Sequence, residues 1–100
     1  YYPTPFMLLV LPIKKEKRSA VAAVTHVDGT GRLQTVRREE NPLYWELINE
    51  FKKLTGVSLI LNTSFNVRGQ PIVMTPEDAL KTFLGTQMDF LIMGDYLVRK

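Results

Sequence analysis

Eight consecutive residues, Asn62-Thr63-Ser64-Phe65-Asn66-Val67-Arg68-Gly69, hold two amides, two hydroxyls and a guanidinium within seven positions. The planar fork of arginine matches two oxygens of a phosphate, so Arg68 can pair with an anion. Asn62, Thr63, Ser64 and Asn66 can hold the rest of such a ligand, and Gly69 admits a backbone angle closed to other residues. The same residue types also describe a polar loop that bonds its own backbone, and they leave both readings open. A second cluster is Thr25-His26-Val27-Asp28-Gly29-Thr30, followed by Arg32. On a strand His26 and Asp28 would share one face, and histidine can shuttle a proton near neutral pH. Asp28-Gly29 is equally a good turn, and Arg32 either reaches the same crevice or lies on the surface. Gly94-Asp95 is first a hairpin turn and only second a metal or substrate group.

These residues need a scaffold, and the pattern of the chain predicts one. Met7 to Ile13 is a continuous apolar run broken by Pro12, which fits a strand covered on both faces. The β-branched residues from Val21 to Val27 predict a second strand. Asp28-Gly29-Thr30-Gly31 predicts a turn, and the alternation over Arg32 to Arg37 predicts the returning strand of a hairpin. Asn41-Pro42 starts a helix whose apolar face is Tyr44, Leu47, Ile48, Phe51 and Leu54, stopped by a left-handed Gly56. Val57 to Leu61 reads as a short buried strand delivering the Asn62 segment to a sheet edge, where α/β folds bind ligands. Pro71 to Met74 is extended. Thr75-Pro76-Glu77-Asp78 opens a second helix that turns Ala79, Leu80, Phe83 and Leu84 inward until Gly85. Phe90 to Met93 and Tyr96 to Val98 flank the Gly94-Asp95 turn as a hairpin. The expectation is one α/β (α+β) domain: a mixed, twisted sheet with two main helices packed on it.

Composition narrows the function classes. The chain has 100 residues, 45% hydrophobic and 23% charged, and a net charge of +3. Such a chain builds one modest core and is an unpromising candidate for disorder. No apolar run approaches the roughly 18 residues of a spanning helix. There is no cysteine and one histidine, so thiolate zinc sites are excluded and no metal site is expected. A reducing, cytoplasmic setting is compatible with this. The mild basic excess suits an anionic small molecule or an acidic neighbouring domain as well as nucleic acid. Lys14-Lys15-Glu16-Lys17-Arg18 reads as a solvated loop, with a phosphate or nucleic-acid contact as the alternative. The aromatics follow the apolar faces of the expected elements and form no stacking platform for single strands. There is no phosphate-binding glycine loop, nucleophile elbow or dinucleotide fingerprint. Because the chain opens at Tyr1 directly before a strand, it is expected to be cut from something longer.

Longer motifs go further than single residues. Ala23-Val24-Thr25-His26-Val27-Asp28-Gly29-Thr30-Gly31-Arg32-Leu33-Gln34-Thr35-Val36 resembles a hallmark of the NodU/CmcH-type carbamoyltransferases. The likeness continues in order through Asn41-Pro42, Leu61 to Val73, Thr75-Pro76-Glu77-Asp78-Ala79-Leu80 and Leu91-Ile92-Met93-Gly94-Asp95-Tyr96-Leu97-Val98, nearly the whole chain.

The resemblance implies an enzyme with an actin-like domain followed by a YrdC-like α/β domain, of which this chain is similar to the later part. The YrdC-like part makes carbamoyladenylate from carbamoyl phosphate and ATP, the latter as its Mg complex. The actin-like part, carrying an iron-type metal ion, passes the carbamoyl group to an acceptor hydroxyl. Asn62-Thr63-Ser64 resembles the nucleotide-contacting Ser-Ala-Asn segment of YrdC proteins. Adenylate formation is served by positioning and by cationic or N–H stabilisation. Arg32 and Arg68 are therefore expected on phosphate or carbamoyl oxygens, Asn62, Thr63, Ser64, Asn66 and Gly69 around the adenylate, and His26 and Asp28 shaping the pocket. The family's upstream Lys-x-Arg-Glu and Arg-Pro-Phe-Ala-Pro segments are not in this sequence. The isolated chain is therefore expected to bind at best at millimolar concentration. Two alternatives remain: a basic nucleic-acid-binding module, and a docking domain without catalysis.

Overall fold

The computed structural model describes residues 2–100, as two compact units, Tyr1–Leu61 and Asn62–Lys100. Helices and antiparallel strands are both present, as the α/β expectation requires. The strands do not join one mixed sheet, however. They form two separate two-stranded antiparallel sheets, one in each unit.

In the first unit, β1 (Leu9–Pro12) pairs with β2 (Thr30–Leu33). The register sets Val10 opposite Arg32 and Pro12 opposite Thr30. Backbone bonds prolong the contact at both ends, from Ile13 N–H to Gly29 O (2.9 Å) and from Thr35 N–H to Thr4 O (3.1 Å). The partner of β2 is thus the N-terminal strand and not the expected Val21–Val27 segment. That segment holds a 3-10 turn, Ala22–Val24. Alanine is a poor strand former, and the Thr25 hydroxyl donates back to Val21 O at 2.8 Å, giving the backbone a local partner instead of a ladder. The β1 side chains Leu9, Val10 and Leu11 are 40%, 50% and 43% exposed, so the expectation of a strand covered on both faces fails for this unit.

Helix α1 (Pro42–Thr55) begins and ends where its signals predict. Asn41 Oδ1 accepts from Tyr44 N–H at 3.2 Å, and Gly56 closes the helix at φ 77° with its N–H on Lys52 O at 2.8 Å. Arg38 lies over the Trp45 ring at 5.4 Å and faces Glu46 at 3.8 Å, tying the first turn to the preceding loop. Among the described residues the apolar stripe of α1 is only partly covered: Tyr44 and Ile48 are half-buried, but Leu47 is 54% exposed and Leu54 86%. The stretch from Val57 to Leu61 is not a strand, and Leu61 is 56% exposed. A strand exists by pairing, and this stretch pairs with no described strand.

In the second unit, α2 (Pro76–Leu84) is capped from both sides: Thr75 Oγ1 accepts from Asp78 N–H at 3.1 Å, and Asp78 Oδ2 accepts from Met74 N–H at 3.4 Å. It packs on β3 (Phe90–Met93), which pairs with β4 (Tyr96–Arg99) through the two-residue Gly94-Asp95 turn. Ala79 and Phe83 are the buried apolar residues, joined by Thr82. Leu84, expected inside, is exposed because it falls off the Ala79–Phe83 stripe.

Candidate functional site

The first unit gathers His26, Asp28 and Thr30 into one closed turn. His26 N–H donates to Thr30 O at 2.7 Å and Gly29 N–H to His26 O at 2.9 Å. Asp28 Oδ1 accepts two bonds from Thr30, from its N–H at 2.9 Å and from its hydroxyl at 2.7 Å. His26 Nδ1 lies 3.0 Å from the same Thr30 Oγ1. The two candidates therefore meet, but through a turn and a threonine rather than along a strand face. The carboxyl of Asp28 is held below its ordinary value, first by the Thr30 hydroxyl, then by the Thr30 N–H, with the charge of His26 adding to both.

The turn exists because Gly29 has φ +82° and because something flat lies against it. A Cβ there would stand 2.2 Å from Arg18 Cζ and 2.4 Å from both Nη atoms. Arg18 is anchored by its Nε–H on Ile13 O at 3.0 Å. Sequence reasoning missed this residue: within the Lys14 to Arg18 run it looks like one more solvated charge. Its signal was faint, a glycine at an Asp-Gly turn where asparagine would also have served. Gly31 is a second close approach, since a Cβ would meet Ile13 Cδ1 at 2.8 Å and Val24 O at 3.0 Å.

Thr30 and Arg32 stand two apart on β2, so their side chains leave the same face of the sheet. Arg32 is exposed and has no ion pair or side-chain hydrogen bond among the described residues. One face of this small sheet thus carries a histidine, a carboxylate and an unengaged guanidinium.

The second unit holds the other cluster. Gln70 N–H donates to Val67 O at 3.1 Å and Gly69 has φ +85°, which makes Val67-Arg68-Gly69-Gln70 a turn needing positive φ at its third residue. Arg68 sits at the tip, exposed and without a partner among the described residues. The turn is held from inside: Asn66 Nδ2 donates to Gln70 O at 2.9 Å, and Val73 N–H reaches Phe65 O at 3.0 Å. The amide nitrogen of Asn66 is accordingly committed to the loop, leaving its oxygen for other use. Asn62, Thr63 and Ser64 are exposed in a stretch without regular secondary structure before the turn. Among the described residues no group of three or more His, Asp or Glu could hold a metal ion, and no helix is long and apolar enough to cross a membrane.

Comparison with known proteins shows what the chain is similar to. The chain is 55% identical to the nodulation protein NolNO of Sinorhizobium fredii over 96% of its length, and 52% identical to the nodulation protein NolO of Bradyrhizobium diazoefficiens over 96%. It is 41% identical over 68% of its length to nodulation protein U of Rhizobium tropici. It spans only 14%, 18% and 12% of those proteins, respectively. The family profile described as "Carbamoyltransferase C-terminus" matches residues 1–100, and the chain belongs to that family.

Proposed function

We propose that this chain is the C-terminal part of an O-carbamoyltransferase and that it helps to form carbamoyladenylate from ATP and carbamoyl phosphate. An actin-like domain of the same polypeptide would then pass the carbamoyl group to an acceptor hydroxyl. The family match supports the carbamoyl chemistry, and the state of two arginines carries the assignment of the site. Arg18, Arg37 and Arg38 are each engaged by a backbone carbonyl, a carboxylate or an aromatic ring. Arg32 and Arg68 are not, and each is presented by a local device, a strand face and a turn tip. Arg99 is likewise unengaged but belongs to β4, outside both clusters. Exposed guanidinium groups set beside hydroxyls and amides are suited to phosphate and carbamoyl oxygens, which accept and do not donate.

ATP would enter as its Mg complex. No resident metal fits the described residues of this chain, and no step here passes through one; the iron-type ion belongs to the actin-like domain in this reading. The test is ATP–pyrophosphate exchange dependent on carbamoyl phosphate, measured in the polypeptide that carries this chain. Where the bound ligand buries a paired contact with Arg68, Arg68→Ala should remove about 2–5 kcal/mol of ligand or transition-state binding, and Arg68→Lys should not restore it, because the paired contact is lost; Arg32→Ala should also weaken exchange. Unchanged exchange in both alanine variants would refute the assignment. The chain by itself should show at best millimolar affinity for ATP or carbamoyl phosphate by calorimetry, with no pyrophosphate released.

The docking reading has an observation of its own. On α1, Leu47 and Leu54 of the apolar stripe and the neighbouring Leu43 are 54%, 86% and 79% exposed, more than a surface helix normally leaves open. We take the remainder of the polypeptide to be its cover, a role that accompanies the catalytic one.

A further inference from the structure

Thr30 has one hydroxyl proton and two polar neighbours, Asp28 Oδ1 at 2.7 Å and His26 Nδ1 at 3.0 Å. An ionised carboxylate has no proton to give, and Asp28 Oδ1 already accepts the Thr30 N–H. The hydroxyl therefore donates to Asp28 and must accept from His26. The neutral ring is fixed with its proton on Nδ1, and Nε2, which has no partner among the described residues, is a bare acceptor on an exposed side chain. Arg32 leaves the same face of β2 one pleat further on, roughly 7 Å along the strand. A guanidinium only donates. The face thus sets a donor beside an acceptor.

A carbamoyl group has the complementary pair, a carbonyl oxygen that accepts and an amine that donates. An acetyl group keeps the first and lacks the second. We propose that Thr30 is a positioning residue that holds His26 with Nε2 turned into an acceptor for the carbamoyl amine, and that His26 thereby distinguishes carbamoyl phosphate from acyl phosphates lacking an N–H. The inference rests on the carbamoyl reading above. It adds the group that reads the nitrogen, which neither Arg32 nor Arg68 can do.

Two measurements test it in the polypeptide carrying this chain. The first is the tautomer, read from ring ¹⁵N shifts under histidine-only labelling above the ring's titration, with His26 identified by its loss in His26→Phe. The proton is expected on Nδ1 in the wild type and in Thr30→Ser, and on Nε2 in Thr30→Val. The second is the ratio of carbamoyl phosphate to acetyl phosphate affinity. One neutral hydrogen bond corresponds to roughly a three- to tenfold change, so the ratio should fall by that factor in His26→Phe and Thr30→Val and stay in Thr30→Ser. A wild-type proton on Nε2, or an unaltered ratio in both His26→Phe and Thr30→Val, overturns the proposal. Because the tautomer is read without ligand, the two levels separate: unaltered selectivity with intact binding ends this inference alone, whereas no carbamoyl phosphate binding by the wild type ends the reading beneath it as well.

Discussion

Replacing Gly29 by Ala should damage the site turn in two separable ways. The first is conformational: φ +82° is a left-handed angle, which costs a residue bearing a Cβ about 1–2 kcal/mol. The second is steric. The new methyl would stand 2.2 Å from Arg18 Cζ, and carbon atoms prefer about 3.5–4.0 Å, so the guanidinium must withdraw by roughly 1.5 Å. It can do so because it ends a flexible side chain, but withdrawal breaks the 3.0 Å bond from Arg18 Nε to Ile13 O, worth about 0.5–1.5 kcal/mol. The sum is about 1.5–3.5 kcal/mol. The two parts are distinguished by a double-mutant cycle with Arg18→Ala, followed by urea unfolding. Once Arg18 is gone, only the backbone part remains, so Gly29→Ala should cost about 1 kcal/mol less in that background. The same variant should move His26 and Asp28 apart and weaken carbamoyl phosphate binding. Equal costs in both backgrounds would show that Arg18 does not lie on Gly29, and a total below about 0.5 kcal/mol would remove the left-handed turn.

Other outcomes follow from the same structure. Asp28 is held below its ordinary value of 3.8 by Thr30 and His26, so its stabilising contribution is complete above that pH and is lost as the pH falls below it towards the native value; an NMR titration should place Asp28 below a free aspartate, and Thr30→Val should raise it. An unaltered midpoint in that variant would contradict the bond from the Thr30 hydroxyl to Asp28. Phe83, on the inner face of α2, is fully buried, so Phe83→Ala should remove about 3–5 kcal/mol from the second unit, seen as lost protection of the β3–β4 amides in hydrogen exchange. Leu47→Asp on the open α1 stripe should leave the unfolding of the isolated chain almost unchanged while lowering the Tm of the longer polypeptide; equal effects in both would mean the stripe has no cover there.

What was legible in the sequence was local. Asn41-Pro42 with Gly56, Thr75-Pro76 with Asp78, and Gly94-Asp95 between apolar runs each specify their element through bonds spanning a few residues, and the structure makes those bonds. The polar clusters were legible too, because their residue types are unusual company for a core. Pairing was not. Whether Val21–Val27 or Leu9–Pro12 lies beside β2 depends on a partner many residues away, and local propensity carries no information about it. The Val57–Leu61 run had the composition of a strand but pairs with no described strand.

Tertiary structure alone decided how Arg18 joins the site. The sequence shows a histidine and an aspartate two positions apart; the folded turn makes Thr30 the link between them, and only the fold seats Arg18 on Gly29. The physical reason is one of range. Caps and turns, the bonds of Thr30 to Asp28 and His26 among them, are set within a few residues along the chain, whereas Arg18 reaches Gly29 from eleven positions away and only the fold brings it there.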